Sequence, residues 1–251
     1  MSEQVIVTRH GAVCEVRLNR PDKRNALTLD MYAALAEAVE SVEADEQVNV
    51  LLLRGEGACF TAGNDLKDFL AGPPIDDPAH PTGRFVRAFA GMGKVAIAAV
   101  HGPTVGLGVT LLLHCDLVLA AARSTRLITP FVQLGLVPEA ASTLLLPALM
   151  GHQRAAEMLL LGQPMDAETA RQCGLVNRVV EDEGLTEEAR TLAKAVACQP
   201  REAVRATKRL MRHARTHDVP GRMDEELREF ALRLKSAEFS TAAQAFFARR
   251  R

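Results

Sequence analysis

Apolar residues fall into three kinds of pattern along this 251-residue chain, and each kind predicts a different element. Near the start, residues 5–8 and Val13–Leu18 are short β-rich runs split by His10-Gly11, as in a hairpin. Unbroken apolar runs follow at residues 48–53, Val95–Val100 and 116–121, and these read as strands buried on both faces. Residues 126–129 and 175–180 add two shorter strands. The third pattern is helical. Thr28 can cap a helix whose apolar positions are Met31, Leu35, Ala38, Val39 and Val42. Residues 84–92, 107–114 and 140–146 also read as helical, whereas residues 71–82, with four prolines, read as a surface loop. From residue 187 the spacing turns helical, over 187–196, 201–214, 223–234 and 241–247. The expected architecture is an α/β core over residues 1–195 with parallel buried strands, followed by a helical module over residues 196–251.

Composition narrows the function classes. The formal net charge is −1, so no broad basic field exists to attract nucleic acid or anionic lipid. The closing Arg249-Arg250-Arg251 reads as a solvated helix end. Trp is absent and Tyr occurs once, which removes aromatic stacking on bases or sugars as the main activity. Five cysteines without a CxxC pair lack metal-ligand spacing and suit reduced thiols, so a cytoplasmic protein without a metal is expected. No leader pattern opens the chain, and no apolar run approaches a membrane span.

Two loops carry the candidate chemistry, because each follows a buried strand and ligands gather beyond the carboxyl ends of such strands. The first is Cys59-Phe60-Thr61-Ala62-Gly63-Asn64-Asp65-Leu66. The second, His101-Gly102-Pro103-Thr104-Val105-Gly106-Leu107-Gly108, is rich in small residues and leads into an apolar helix, a way to present free N–H groups to a negative atom. Its glycine spacing fits neither a dinucleotide fingerprint nor a phosphate loop.

Asn19-Arg20-Pro21, Asn25-Ala26-Leu27, the two loops, His114-Cys115-Asp116 and Gly174-Leu175-Val176 together resemble the crotonase superfamily, the enoyl-CoA hydratase/isomerase family, in order and in spacing. The resemblance covers about residues 5–195. It implies an α/β fold, a spiral of ββα turns with a helical C-terminal trimerisation module, assembled as a homotrimer or a pair of trimers. It implies an acyl-CoA thioester as substrate, coenzyme A being part of that substrate and no separate cofactor being needed. It further implies an oxyanion hole from the backbone N–H groups of Ala62 and Leu107, with Gly63, Gly106 and Gly108 permitting the backbone shape. The matching cofactor-moiety and acyl contacts are Lys23, Arg24, Ala26, Gly63, Asp65, Leu66, Gly106, Thr110, Phe131 and Phe247. Several of these have plainer readings: Asp65 as the cap of a helix over residues 66–70, Lys23 and Arg24 as a solvated pair, and Phe246 and Phe247 as helix packing. Asp116 and His101 read as structural hydrogen-bonding groups, and Ser142 has no His/Asp constellation that would make it a nucleophile.

Carboxylate placement separates the reactions of this family. The family's hydratases use two glutamates, and the matching positions here are Thr110 and Phe131, neither of which can act as a base near neutral pH. Glu139 stands where the Δ3,Δ2-enoyl-CoA isomerase branch carries its single catalytic glutamate. One base suffices for such an isomerase of fatty-acid oxidation, moving a proton from C2 to C4, and an apolar setting from Phe131, Leu134 and Leu136 would raise its pKa. The plain alternative makes Glu139 a first-turn acid of the helix over residues 140–146. Hydration, thioester hydrolysis and non-catalytic acyl-CoA binding are the competing functions.

Overall fold

The computed structural model describes residues 3–71, 74–77, 79–213 and 218–248. Strands β1 (Val5–His10) and β2 (Val13–Leu18) pair antiparallel, turning through Gly11 at φ 62°. Thr28 accepts a hydrogen bond from Met31 N and so caps α1 (Leu29–Ala44), which buries the apolar stripe read from the sequence. β3 (Val50–Gly55) begins later than its apolar run, because the parallel pairing with β2 starts at Val13 and Val50.

After α2 (Leu66–Ala71) and α3 (Pro81–Gly91), one unit repeats. β4 (Val95–Val100) lies in the main sheet, β5 (Pro103–Val105) steps into a second sheet, and α4 (Leu107–Thr110) closes the turn. β6 (Leu117–Ala121) and β7 (Arg126–Ile128) make the same step. The chain continues through α5 (Ser142–Met150), α6 (His152–Leu161), β8 (Met165–Asp166), α7 (Ala167–Gln172) and β9 (Arg178–Val180). It ends in α8 (Leu185–Ala197), α9 (Arg201–His213), α10 (Asp218–Leu234) and α11 (Ala237–Ala248). The main sheet has the order β1-β2-β3-β4-β6-β9, parallel after the first pair, and the second has the order β5-β7-β8. This is the spiral of ββα turns that the motifs imply.

Both faces of the main sheet are covered. Leu185, Ala189 and Ala193 of α8 pack on Val50, Leu52, Ile97 and Leu119, while α1 and α3 cover the other face. Covering both faces is what requires strands that are apolar throughout rather than alternating. Asp116 is structural: it accepts from Ala96 N at 2.8 Å and from Lys208 Nζ of α9 at 2.7 Å. His101 bonds Gly57 O through Nε2.

Several expected boundaries move. The last strand shortens to Arg178–Val180, and the proline-rich stretch is trimmed at both ends by α2 and by α3, which His80 caps. Helices α6 and α7 have no counterpart in the sequence reading. Residues 72, 73, 78, 214–217 and Arg249-Arg250-Arg251 lie outside the described residues. Among the described residues no helix is long and apolar enough to cross a membrane.

Candidate active site

The first loop is fixed by hydrogen bonds to the segment that passes beneath it. Asn25, fully buried, bonds Glu56 O and Cys59 O through Nδ2. Thr61 Oγ1 donates to Asn25 O at 2.6 Å and accepts from Gly63 N. Leu27 N donates to Gly63 O, and Asp65 N donates to Leu27 O. Ala62 N donates to Arg24 O at 2.9 Å. The Ala62 N–H is therefore committed to the fold, which corrects its assignment as an oxyanion donor. Between these bonds Asn64 N–H donates to nothing among the described residues. A parallel bridge between Leu27 and Asn64 leaves that N–H pointing away from its neighbour strand.

The second loop supplies its partner. Gly106 N donates to Ile128 O, and Val109 N and Thr110 N return to Gly106 O, but Leu107 N–H at the start of α4 has no partner among the described residues. The loops approach closely where side chains are absent. A Cβ on Gly63 (φ +81°) would meet Val105 O at 3.0 Å, and one on Gly108 would meet Thr61 Cγ2 at 2.4 Å. Asn64 and Leu107 both line the cleft, so two unspent backbone donors face one space.

Glu139 lines that same space from the opposite wall. Its carboxylate accepts a hydrogen bond from Thr110 Oγ1 at 2.5 Å. Burial pushes the carboxyl up to about 8, against the opposing Thr110 hydrogen bond and with the negative charge of Glu226 adding to the rise. Thr110, expected at the substrate, is fully buried, lines neither part of the cleft and gives its hydroxyl to the Glu139 carboxylate. Glu139 does not cap the helix that follows it. Ala140 and Ala141 sit at φ 59° and 58°, and α5 starts only at Ser142, which corrects the helix start expected at residue 140. Each alanine in that left-handed region costs about 1–2 kcal/mol, so the turn must be held from elsewhere. His114 Nε2 donates to Ala140 O at 2.8 Å.

The cleft has two parts. The outer part is lined by Lys23, Arg24, Ala26, Gly63, Asp65 and Leu66, and also by Gly106 and Phe131. Asp65 is tied to Arg20 at 2.8 Å and also caps α2 through Lys67 N, so its structural reading stands. The inner part runs past Glu139 between Phe69, Val86, Met223 and Phe230. The side chains of Phe246 and Phe247 lie outside the described residues. The Ser142 hydroxyl is buried and hydrogen-bonds to nothing among the described residues. Among the described residues there is also no cluster of three His, Cys, Asp or Glu side chains suited to a metal.

Three contributors were not legible in the sequence. Asn64 lines the cavity with its backbone N–H unspent, and its Oδ1 accepts from Tyr32 Oη. Tyr32, the one tyrosine, is not among the apolar positions read for α1, yet it is fully buried. Glu226 reaches in from α10, 87 positions beyond Glu139, and bonds Ala141 N and Thr143 N. Local spacing carries no signal for a contact of that range.

Known proteins resemble this chain in sequence and in fold. The family model for enoyl-CoA hydratase/isomerase matches residues 8–251. The 1,2-epoxyphenylacetyl-CoA isomerase of Escherichia coli is 36% identical over 100% of this chain and 97% of its own length. Enoyl-CoA delta isomerase 2 of Rattus norvegicus is 34% identical over 99% of this chain, which spans 64% of that protein. Among solved structures, Pseudomonas aeruginosa OdaA superposes with a TM-score of 0.94 at 44% identity, covering 98% of this chain and 99% of that one.

Proposed function

The chain belongs to the enoyl-CoA hydratase/isomerase family, the crotonase superfamily, and on that premise we propose that it is a Δ3,Δ2-enoyl-CoA isomerase with Glu139 as its single base. The observation that carries the reading is one carboxyl, pushed up to about 8, sharing a mostly apolar cavity with two residues whose backbone N–H groups are unspent. In its ionised form Glu139 takes a proton from C2 of a 3-enoyl thioester. Electrons move onto the thioester oxygen, where the Asn64 and Leu107 N–H groups stabilise the charge, each by about 3–4 kcal/mol. The same carboxyl then returns the proton at C4, and the double bond ends conjugated with the thioester. No proton leaves the site, so water needs no activation.

Hydration would require a second acid beside the base. Asp22, Asp65 and Asp68 line the outer cleft, but none lines the inner cavity with Glu139. Lys23 and Arg24 at the outer cleft suit the phosphates of coenzyme A, and the inner cavity suits the acyl chain. Phe69 and Phe230, edge to face at 6.2 Å, favour a second reading in which the acyl group carries a ring, in line with the name of the E. coli relative. We also take the assembly to be a homotrimer or a pair of trimers.

Purified protein incubated with a 3-enoyl-CoA is expected to conjugate its double bond and to leave a 2-trans-enoyl-CoA unhydrated. Glu139→Gln is expected to keep fold and thioester binding while lowering turnover at least about 10²-fold. Fast hydration of the 2-enoyl ester would overturn the one-base isomerase. Turnover of an epoxyphenylacetyl thioester alone would replace it with the second reading.

A further inference from the structure

We propose that Glu226 is a positioning residue for Glu139: from α10 it clamps the turn that carries the base and so directs the Glu139 carboxylate into the cavity. The inference rests on Glu139 being the base and deepens that reading. Glu226 is 5% exposed and has both oxygens engaged. Oε2 accepts from Ala141 N at 2.6 Å, and Oε1 accepts from Thr143 N at 2.9 Å and Thr143 Oγ1 at 2.6 Å. These donors belong to the entry of α5, where a helix leaves its N–H groups unpaired and favours an anion.

The consequence for Glu139 is a division of labour between two carboxylates. Left to itself, Pro138-Glu139 before an apolar helix would place Glu139 over those N–H groups as a first-turn acid. Glu226 occupies that role from α10. The helix cannot extend backward, because Ala140 and Ala141 are held at φ 59° and 58°, and Glu139 is released to meet Thr110 and the cleft. Met223, Leu227 and Phe230, on the same helix as Glu226, line the inner cavity, so one element carries both the cavity wall and the clamp.

Charge adds to geometry. The groups that face this pair are Tyr32 from α1, His114 from the turn after α4, Arg222 from α10, and Arg87 with Asp224 at the cavity rim. Burial raises the Glu226 carboxyl, and the Thr143 and Ala141 donors oppose that rise. An ionised Glu226 in turn disfavours ionisation of Glu139.

The test follows the Glu139 carboxyl directly, with no substrate. Protein labelled with ¹³C in its glutamate carboxyls is titrated by NMR, and the Glu139 signal is assigned by its loss in Glu139→Gln. In Glu226→Gln, which keeps an acceptor but removes the charge, the Glu139 midpoint is expected to fall by roughly half a pH unit or more. In Glu226→Leu, which removes the clamp, it is expected to fall by more than about one unit, with kcat down roughly 10²-fold and KM within about threefold. Unchanged midpoints in folded Glu226→Gln would overturn the proposal, whether or not Glu226→Leu folds. A wild-type protein that ignores 3-enoyl thioesters but shows the midpoint shifts would remove the isomerase reading and leave the clamp standing.

Discussion

At the residue scale, the competition at Glu139 is between solvation and a single hydrogen bond. Burial opposes the charged form more strongly than the Thr110 hydroxyl supports it, and the carboxyl is pushed up to about 8. A base must be ionised to accept a proton, so the acidic limb of kcat/KM reports this group in the free enzyme. Activity is therefore expected to rise with pH through about 8 and then level off. An acidic limb centred near the ordinary carboxylate range would mean that another group titrates in the reaction. The free backbone donors follow a different logic at the same scale. Which N–H is free depends on which carbonyls are already served: Arg24 O takes Ala62 N–H, and Asn64 N–H is left over. Residue identity has little to do with it, since every position in the loop carries the same donor.

At the element scale, the main sheet and α8 are joined through one buried acid. Glu15 on β2 is 1% exposed and meets Arg54 of β3 at 2.9 Å and Arg190 of α8 at 2.8 Å. Burial raises its carboxyl, but hydrogen bonds from Arg190 and Arg54 outweigh burial and hold it at about 2. A folded-state pKa below the unfolded one gives stability that is present above the ordinary carboxylate range and lost as pH falls towards 2. Glu15→Gln is expected to lower Tm at neutral pH by roughly 5 °C or more, and to flatten the decline of Tm between about pH 4.5 and pH 2 relative to the parent. Thermal unfolding across that range checks it, and parallel curves for the two proteins would show that the arginines do not depend on this carboxylate. The sequence marks Glu15 only as a polar position in a strand, because its partners come from elements 39 and 175 positions away.

At the scale of the whole molecule, the C-terminal helices do more than extend the core. α10 closes the inner cavity of its own chain through Met223 and Phe230, so the boundary expected near residue 195 separates elements that share one site. Large apolar side chains remain uncovered on α6 and α9: Leu160 and Leu161 are 61% and 59% exposed, Leu210 and Met211 70% and 73%. Self-association into trimers would bury such side chains. Sedimentation is expected to give three or six chain masses, and Leu210→Glu with Met211→Glu is expected to shift that distribution towards smaller species. A parent protein that sediments as a single chain at micromolar concentration would remove the trimer.

What the sequence determined by itself was whatever repeats locally or sits inside a short motif. The unbroken apolar run at Val95–Val100 is a strand buried on both faces, and the Thr28 cap and α1 stripe are where helical spacing puts them. The order of motifs from Asn19 to Val176 was enough to mark the two loops, Leu107 and Glu139. The tertiary structure decided the rest, because the deciding contacts are long-range. It left the second free N–H on Asn64 by spending that of Ala62, and it turned the Thr110 hydroxyl to the Glu139 carboxylate. It kept Glu139 off its own helix by capping that helix with Glu226 from α10, a hydrogen bond whose partners no local pattern brings together.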